Sequence, residues 1–95
     1  MEQNSVVLSP DQMMGLFKKS VAAGDLICWA IYDHPIDYPR NVVIRPWHAR
    51  ECRPYFAVIL TETISEARHL IIRLGNVSRL ARHPYDDPLM VEAWI

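Results

Sequence analysis

The sequence predicts a two-layer α+β domain: a four-stranded, mainly antiparallel sheet with its elements in the order α-β-β-β-α-β. Three observations predict it. Two apolar-periodic stretches each open on a helix-capping sequence. Three runs of strand-forming residues lie between them, separated by short turns. A final hydrophobic run, Leu89-Met90-Val91-Glu92-Ala93-Trp94-Ile95, alternates to the end of the chain, as a strand paired inside a sheet does. The length, 95 residues, fits one domain over 1–95. With 51% hydrophobic residues and a net charge of −1, the chain has enough apolar matter for a core and too little charge for a disordered tail.

The first helix is expected over 10–22. Ser9-Pro10-Asp11-Gln12 supplies an N-cap, a proline in the first turn and the Gln of a capping box. Met13, Leu16, Phe17, Ser20 and Val21 then form a mostly apolar stripe, and Gly24 suits a left-handed stop. Leu26 to Asp33 is apolar on both faces, which marks a central strand, with Cys28 read as a small buried hydrophobe. Asp33-His34-Pro35-Ile36-Asp37-Tyr38-Pro39 is a loop, since its prolines fix φ and remove donors. The second strand runs from Asn41 to Trp47, with Val43, Arg45 and Trp47 on one face and Pro46 forcing an edge or bulge. Arg50 to Pro54 forms a polar turn, and Tyr55 to Glu62 is the third strand. Thr63-Ile64-Ser65-Glu66 caps the second helix, whose buried face is Ile64, Ala67, Leu70, Ile71 and Leu74, with His69 partly buried among them. Gly75 ends it, and an irregular segment continues to Pro88.

Composition excludes several classes of function. No apolar run reaches the ~18 residues of a membrane span, and the N-terminus lacks the basic start of a signal peptide. A cytoplasmic protein with reduced thiols is therefore expected, and no membrane partner. The two cysteines, Cys28 and Cys52, form no C-x-x-C pair, so neither a zinc finger nor a thioredoxin-type motif is present. No metal-ligand spacing and no nucleophile motif occurs, and no cofactor is implied. Charge is unevenly placed: residues 1–39 carry −3, residues 40–83 carry +5 with all eight arginines, and residues 84–95 carry −3. A domain that is slightly acidic overall lacks the basic field of a duplex binder, so these arginines read first as a surface paired with the acidic ends.

Three polar constellations are candidates for function. Asp33, His34 and Asp37 at a strand end are the residue types of an acid–base or metal-dependent hydrolase site, although turn chemistry alone accounts for each of them. Asp86 and Asp87, beside His83, form a second acidic turn with too few spaced oxygens for a cation loop. Arg45, Trp47, Arg50 and Arg53 interleave arginine with an aromatic, which suits stacking on nucleic-acid bases and equally suits protein hot spots. Two short helices are too few to cover both faces of such a sheet. A face bearing Trp29, Trp47 or Trp94 is thus expected to self-associate or to dock on a larger protein.

Over about residues 29–95, the pattern Tyr32-Asp33-His34-Pro35-x-Asp37-Tyr38-Pro39, then Val43-x-Arg45, then Pro84-x-Asp86-Asp87-Pro88-x-x-Val91-Glu92-x-Trp94-Ile95 resembles a group of short bacterial and mobile-element proteins. That group has no assigned activity, so the resemblance carries over no catalytic residues. It implies a small phage-type or accessory protein that occupies a surface of a larger machine, as anti-CRISPR inhibitors do. The expected function is a non-enzymatic protein-binding module, an inhibitor of a host complex. Its surface would use Asp33, Asp37, Asp86 and Asp87, or Arg45, Trp47, Arg50 and Arg53. A larger protein and a second copy of the chain are its expected partners. The alternatives are a nucleic-acid-binding accessory protein and a hydrolase built on Asp33, His34 and Asp37.

Overall fold

A computed structural model describes residues 6–75, 78–80 and 88–95. In chain order the elements are β1 (Val6–Val7), α1 (Pro10–Ala22), β2 (Ile27–Asp33), β3 (Val42–His48), β4 (Arg53–Pro54), β5 (Ala57–Thr61), α2 (Ile64–Arg73), β6 (Arg79–Leu80) and β7 (Met90–Trp94). They form two helices and one seven-stranded mixed sheet in the order β1-β5-β3-β2-β7-β6, with β4 paired to β3. The expectation of four strands in a mainly antiparallel sheet is therefore corrected. β1 joins β5 in parallel, while the other pairs are antiparallel. The three added strands have two residues each, too short for an alternating pattern to reveal. Two of them, β4 and β6, fall in segments whose composition signals turns.

Local chemistry sets the helix ends. The Gln12 N–H donates to Ser9 Oγ at 3.2 Å and the Ser9 N–H returns a bond to Gln12 Oε1 at 2.9 Å, a complete capping box. The Glu66 N–H donates to Thr63 Oγ1 at 3.1 Å to start α2. Gly24 and Gly75 follow the last turns with φ of 86° and 97°, conformations an L side chain resists.

Both helices lie on one face of the sheet. Met13 of α1 and Ala67, Ile71 and Leu74 of the α2 region pack on Ile27, Trp29, Ile31, Val42, Ile44, Ala57 and Ile59 in a single cluster. The register explains why these strand residues share a face: Ile31 sits opposite Ile44, and Ile44 opposite Ile59. Trp29 is fully buried there and Trp94 packs against the same cluster. Of the three tryptophans, only Trp47 belongs to the opposite face, which carries no helix among the described residues. Cys28 also lies there, half-buried rather than fully buried, and His69 is exposed on α2 rather than partly buried.

Glu92 ties β7 to α2. Its side chain, 7% exposed, accepts bonds from Arg68 Nε at 2.6 Å, from Arg68 Nη2, and from Trp94 Nε1 at 3.0 Å, with Arg79 Nη1 at 3.9 Å. Burial works against the charged carboxylate. The bonds from Arg68 and Trp94 and the fields of Arg68 and Arg79 outweigh it, holding the carboxyl below the usual range.

Candidate protein-interaction surface

Alternation along the strands places Cys28, Ala30, Val43, Arg45, Trp47 and Ala93 on the helix-free face. Part of this face is closed, since Ala30, Val43 and Val58 are buried. Toward the Cys28 and Trp47 end it opens into a groove of about 390 Å³, whose lining includes Cys28, Ala30, Trp47, Leu80, Ala93 and Ile95. That volume lies within the range of small-ligand and side-chain pockets, and the lining is predominantly apolar. Trp47 Nε1 is buried and has no hydrogen-bond acceptor among the described residues, so Trp47 contributes surface here rather than a polar contact.

The loop between β2 and β3 stands at the other end of the same two strands. Its conformation is closed by backbone bonds: the His34 N–H donates to the Asn41 carbonyl at 3.0 Å, the Tyr38 N–H to Pro35 at 3.0 Å, and the Asn41 N–H to Tyr38 at 3.2 Å. These make two consecutive tight turns. Pro39 occupies the second position of the latter one, where its fixed φ fits. His34 takes a φ of 50°, the left-handed region that histidine enters more often than bulkier residues. The Ile36 side chain projects from the first turn, with the residue 92% exposed.

The structure brings together two of the sequence-derived candidate sets. Arg45 Nη2 donates to Asp37 Oδ2 at 3.1 Å, and Arg45 Nη1 reaches the Tyr55 carbonyl at 3.4 Å. The acidic loop is thereby fastened to the arginine and tryptophan strand, and the two form one surface with Trp47. The remaining candidates are placed elsewhere. Arg50 donates to the Gly24 carbonyl at 2.9 Å, steadying the end of α1, and Arg53 pairs with Glu51 in solvent. Asp86 and Asp87 lie outside the described residues, as does His83.

The proposed hydrolase set does not converge as a ligand group. His34 Nδ1 lies 2.5 Å from Asp33 Oδ1, and both side chains are about half exposed, while Asp37 faces Arg45. Among the described residues, no three His, Cys, Asp or Glu side chains are grouped to hold a metal ion. A second polar cluster has a packing role. Tyr55 stacks on His48 with centroids 3.7 Å apart, and its hydroxyl donates to Ser20 Oγ at 3.2 Å or Asp25 Oδ2 at 3.4 Å, clamping the end of α1 to the sheet. Burial, reinforced by the Asp25 charge, raises the Tyr55 phenol above its usual value despite the opposing Ser20 bond.

Sequence reasoning did not single out Ile36 or the groove. The signal for Ile36 was present: a β-branched apolar residue where turns take Asn, Asp, Gly or Ser. The groove required knowledge that both helices choose the same face. No family model, curated protein or solved structure matches the chain.

Proposed function

We propose that the chain is a small non-enzymatic protein-binding module that acts by covering a surface of a larger protein, as a mobile-element inhibitor of a host complex does. The observation that carries this reading is the joining of Asp37, Arg45 and Trp47 with an apolar groove on one face of the sheet. Trp and Arg are anchor types of protein interfaces, and the exposed Ile36 adds apolar area that docking could take out of water. The loop is already ordered by its own turns, which lowers the entropy lost on binding. The partner this surface fits is a protein offering an apolar ridge and pocket, because the Arg45 charge is already met by Asp37.

A nucleic-acid role finds less support from the same residues. Arg45, Arg50 and Arg53 are engaged by Asp37, the Gly24 carbonyl and Glu51, respectively. Phosphate binding would have to break those contacts.

The test is capture from host cells followed by reconstitution with the purified partner and titration calorimetry. The reading expects Leu80→Glu on the groove rim to weaken that complex at least about tenfold, with circular dichroism showing that the variant stays folded although Leu80 belongs to β6 and is partly covered. Lys18→Glu, exposed on α1, should leave it intact. The reading falls if no protein partner is captured, or if the captured one binds both variants alike.

A further inference from the structure

We infer that the outer face of α2, together with Arg79 of β6, is a second docking surface, separate from the groove and suited to an acidic segment of a protein partner.

The helical repeat builds this face. Arg68, His69, Ile72 and Arg73 lie three or four residues apart along α2, so they stand side by side on its surface, and all four are exposed. Ala67, Ile71 and Leu74 take the opposite side of the helix into the core. Arg79 reaches the same patch from β6, its Nη1 lying 3.9 Å from Glu92 Oε2, the oxygen that Arg68 also holds. Two guanidinium groups thus share one carboxylate. Glu92 lies beneath them with its side chain 7% exposed, while the side chains of Arg68 and Arg79 are 46% and 61% exposed. Arg73 enters none of the ion pairs formed among the described residues. Asp11 borders the same small cleft as Arg73 but makes no ion pair with it, and Glu66 stands at the other end of the helix, in its first turn. Three arginines against the single Glu92 leave this face with surplus positive charge.

Charge complementarity selects the occupant. The surplus calls for anions, and the guanidinium fork matches a carboxylate with two parallel hydrogen bonds. Ile72, 48% exposed beside Arg68 and His69, adds an aliphatic contact that an apolar side chain flanked by carboxylates would meet. Residues 64–73 hold no Phe, Tyr or Trp on which a base could stack, and a chain of net charge −1 lacks the field that draws a phosphate backbone. An acidic protein segment therefore fits both the charged and the apolar part of the patch, and a nucleic acid fits neither as well.

Fluorescence anisotropy tests this on the purified chain at low ionic strength, the probe being a labelled peptide of glutamates around a central leucine. The peptide is expected to bind saturably, and Arg73→Glu to weaken it at least about tenfold. Lys18→Glu, the same change of charge at an exposed position on α1, leaves the affinity unchanged. Ile72→Asn, which alters no charge, weakens binding at least about threefold through the lost apolar contact. Positions 72 and 73 are exposed and outside the core cluster, and circular dichroism should show both variants folded. A peptide that does not bind, equal losses in Arg73→Glu and Lys18→Glu, or an unchanged affinity in Ile72→Asn overturns the assignment. So does a labelled single-stranded oligonucleotide of the same length that binds more tightly than the peptide and is released by Arg73→Glu.

Discussion

Replacing Glu92 by Gln offers the sharpest check on how the two layers are held together. The change preserves shape and removes the charge that faces Arg68, Trp94 and, farther off, Arg79. Each charge-assisted bond to a buried group is worth about 1.5–3 kcal/mol, and breaking a fully buried pair costs about 3–5 kcal/mol. The Arg68 side chain is 46% exposed, so water screens its share and the amide recovers one acceptor bond. The net loss comes to about 2 kcal/mol, or roughly 8–16 °C in thermal midpoint for a domain of this size. The pH dependence has a defined sign. The folded-state carboxyl is held below its unfolded value, so the folded state releases that proton more readily. Its contribution is complete above the unfolded value near pH 4.3 and fades as pH falls through the folded one. Urea titrations of both proteins should therefore differ by about 2 kcal/mol at pH 7 and converge toward pH 3. A gap below about 0.5 kcal/mol at pH 7, or one unchanged at pH 3, refutes the account of Glu92 as a charged tie between β7 and α2.

Three further predictions concern local physics. Ile44→Ala, at a fully buried position, should cost about 2–5 kcal/mol in urea unfolding, whereas Ile36→Ala should stay within about 0.5 kcal/mol because Ile36 makes no core contact. Gly15→Ala should raise stability by about 0.5–1 kcal/mol, since nothing lies within 4 Å of the added carbon in mid-helix, while Gly75→Ala, equally uncrowded but at φ 97°, should lower it by about 1 kcal/mol. Ser9→Ala removes one half of the capping box and should cost about 1 kcal/mol in chemical denaturation, with circular dichroism reporting fraying of α1.

The helices were legible in the sequence because their signals are local. Ser9 and Gln12 sit three apart, and Thr63 and Glu66 likewise, so a cap can be read without tertiary structure. β2 and β3 were legible for the same reason, as long runs with a clear pattern. β1, β4 and β6 were not, because two residues carry no periodicity and their pairing depends on distant partners: Val6 with Ala57, Arg53 with His48, Leu80 with Ala93. The side of the sheet taken by α1 was equally hidden, since Met13 packs equally well against either face of an apolar β2. That choice leaves Trp47, rather than Trp29 or Trp94, on the helix-free face. The candidate residues Asp33, Asp37 and Arg45 were visible as types, and the prolines marked the loop, but the Asp37–Arg45 contact depends on how that loop folds back on β3, which no local pattern encodes.

The uneven charge along the chain also acquires a physical meaning. The arginine-rich middle meets carboxylates from both acidic ends: Arg45 meets Asp37, and Arg68 and Arg79 meet Glu92, while Arg53 is matched within its own turn by Glu51. These pairs fasten the loop to β3 and the helix layer to β7. The surface proposed for recognition is in contrast apolar, a groove beside Trp47. Such a surface should bind with a negative heat-capacity change and little response to salt, because burial of apolar area is unscreened whereas exposed ion pairs weaken within a Debye length of about 10 Å at moderate ionic strength. Salt dependence in calorimetry therefore separates the two chemistries directly: affinity that holds from low to high salt fits the groove, and affinity that collapses assigns binding to the arginines instead.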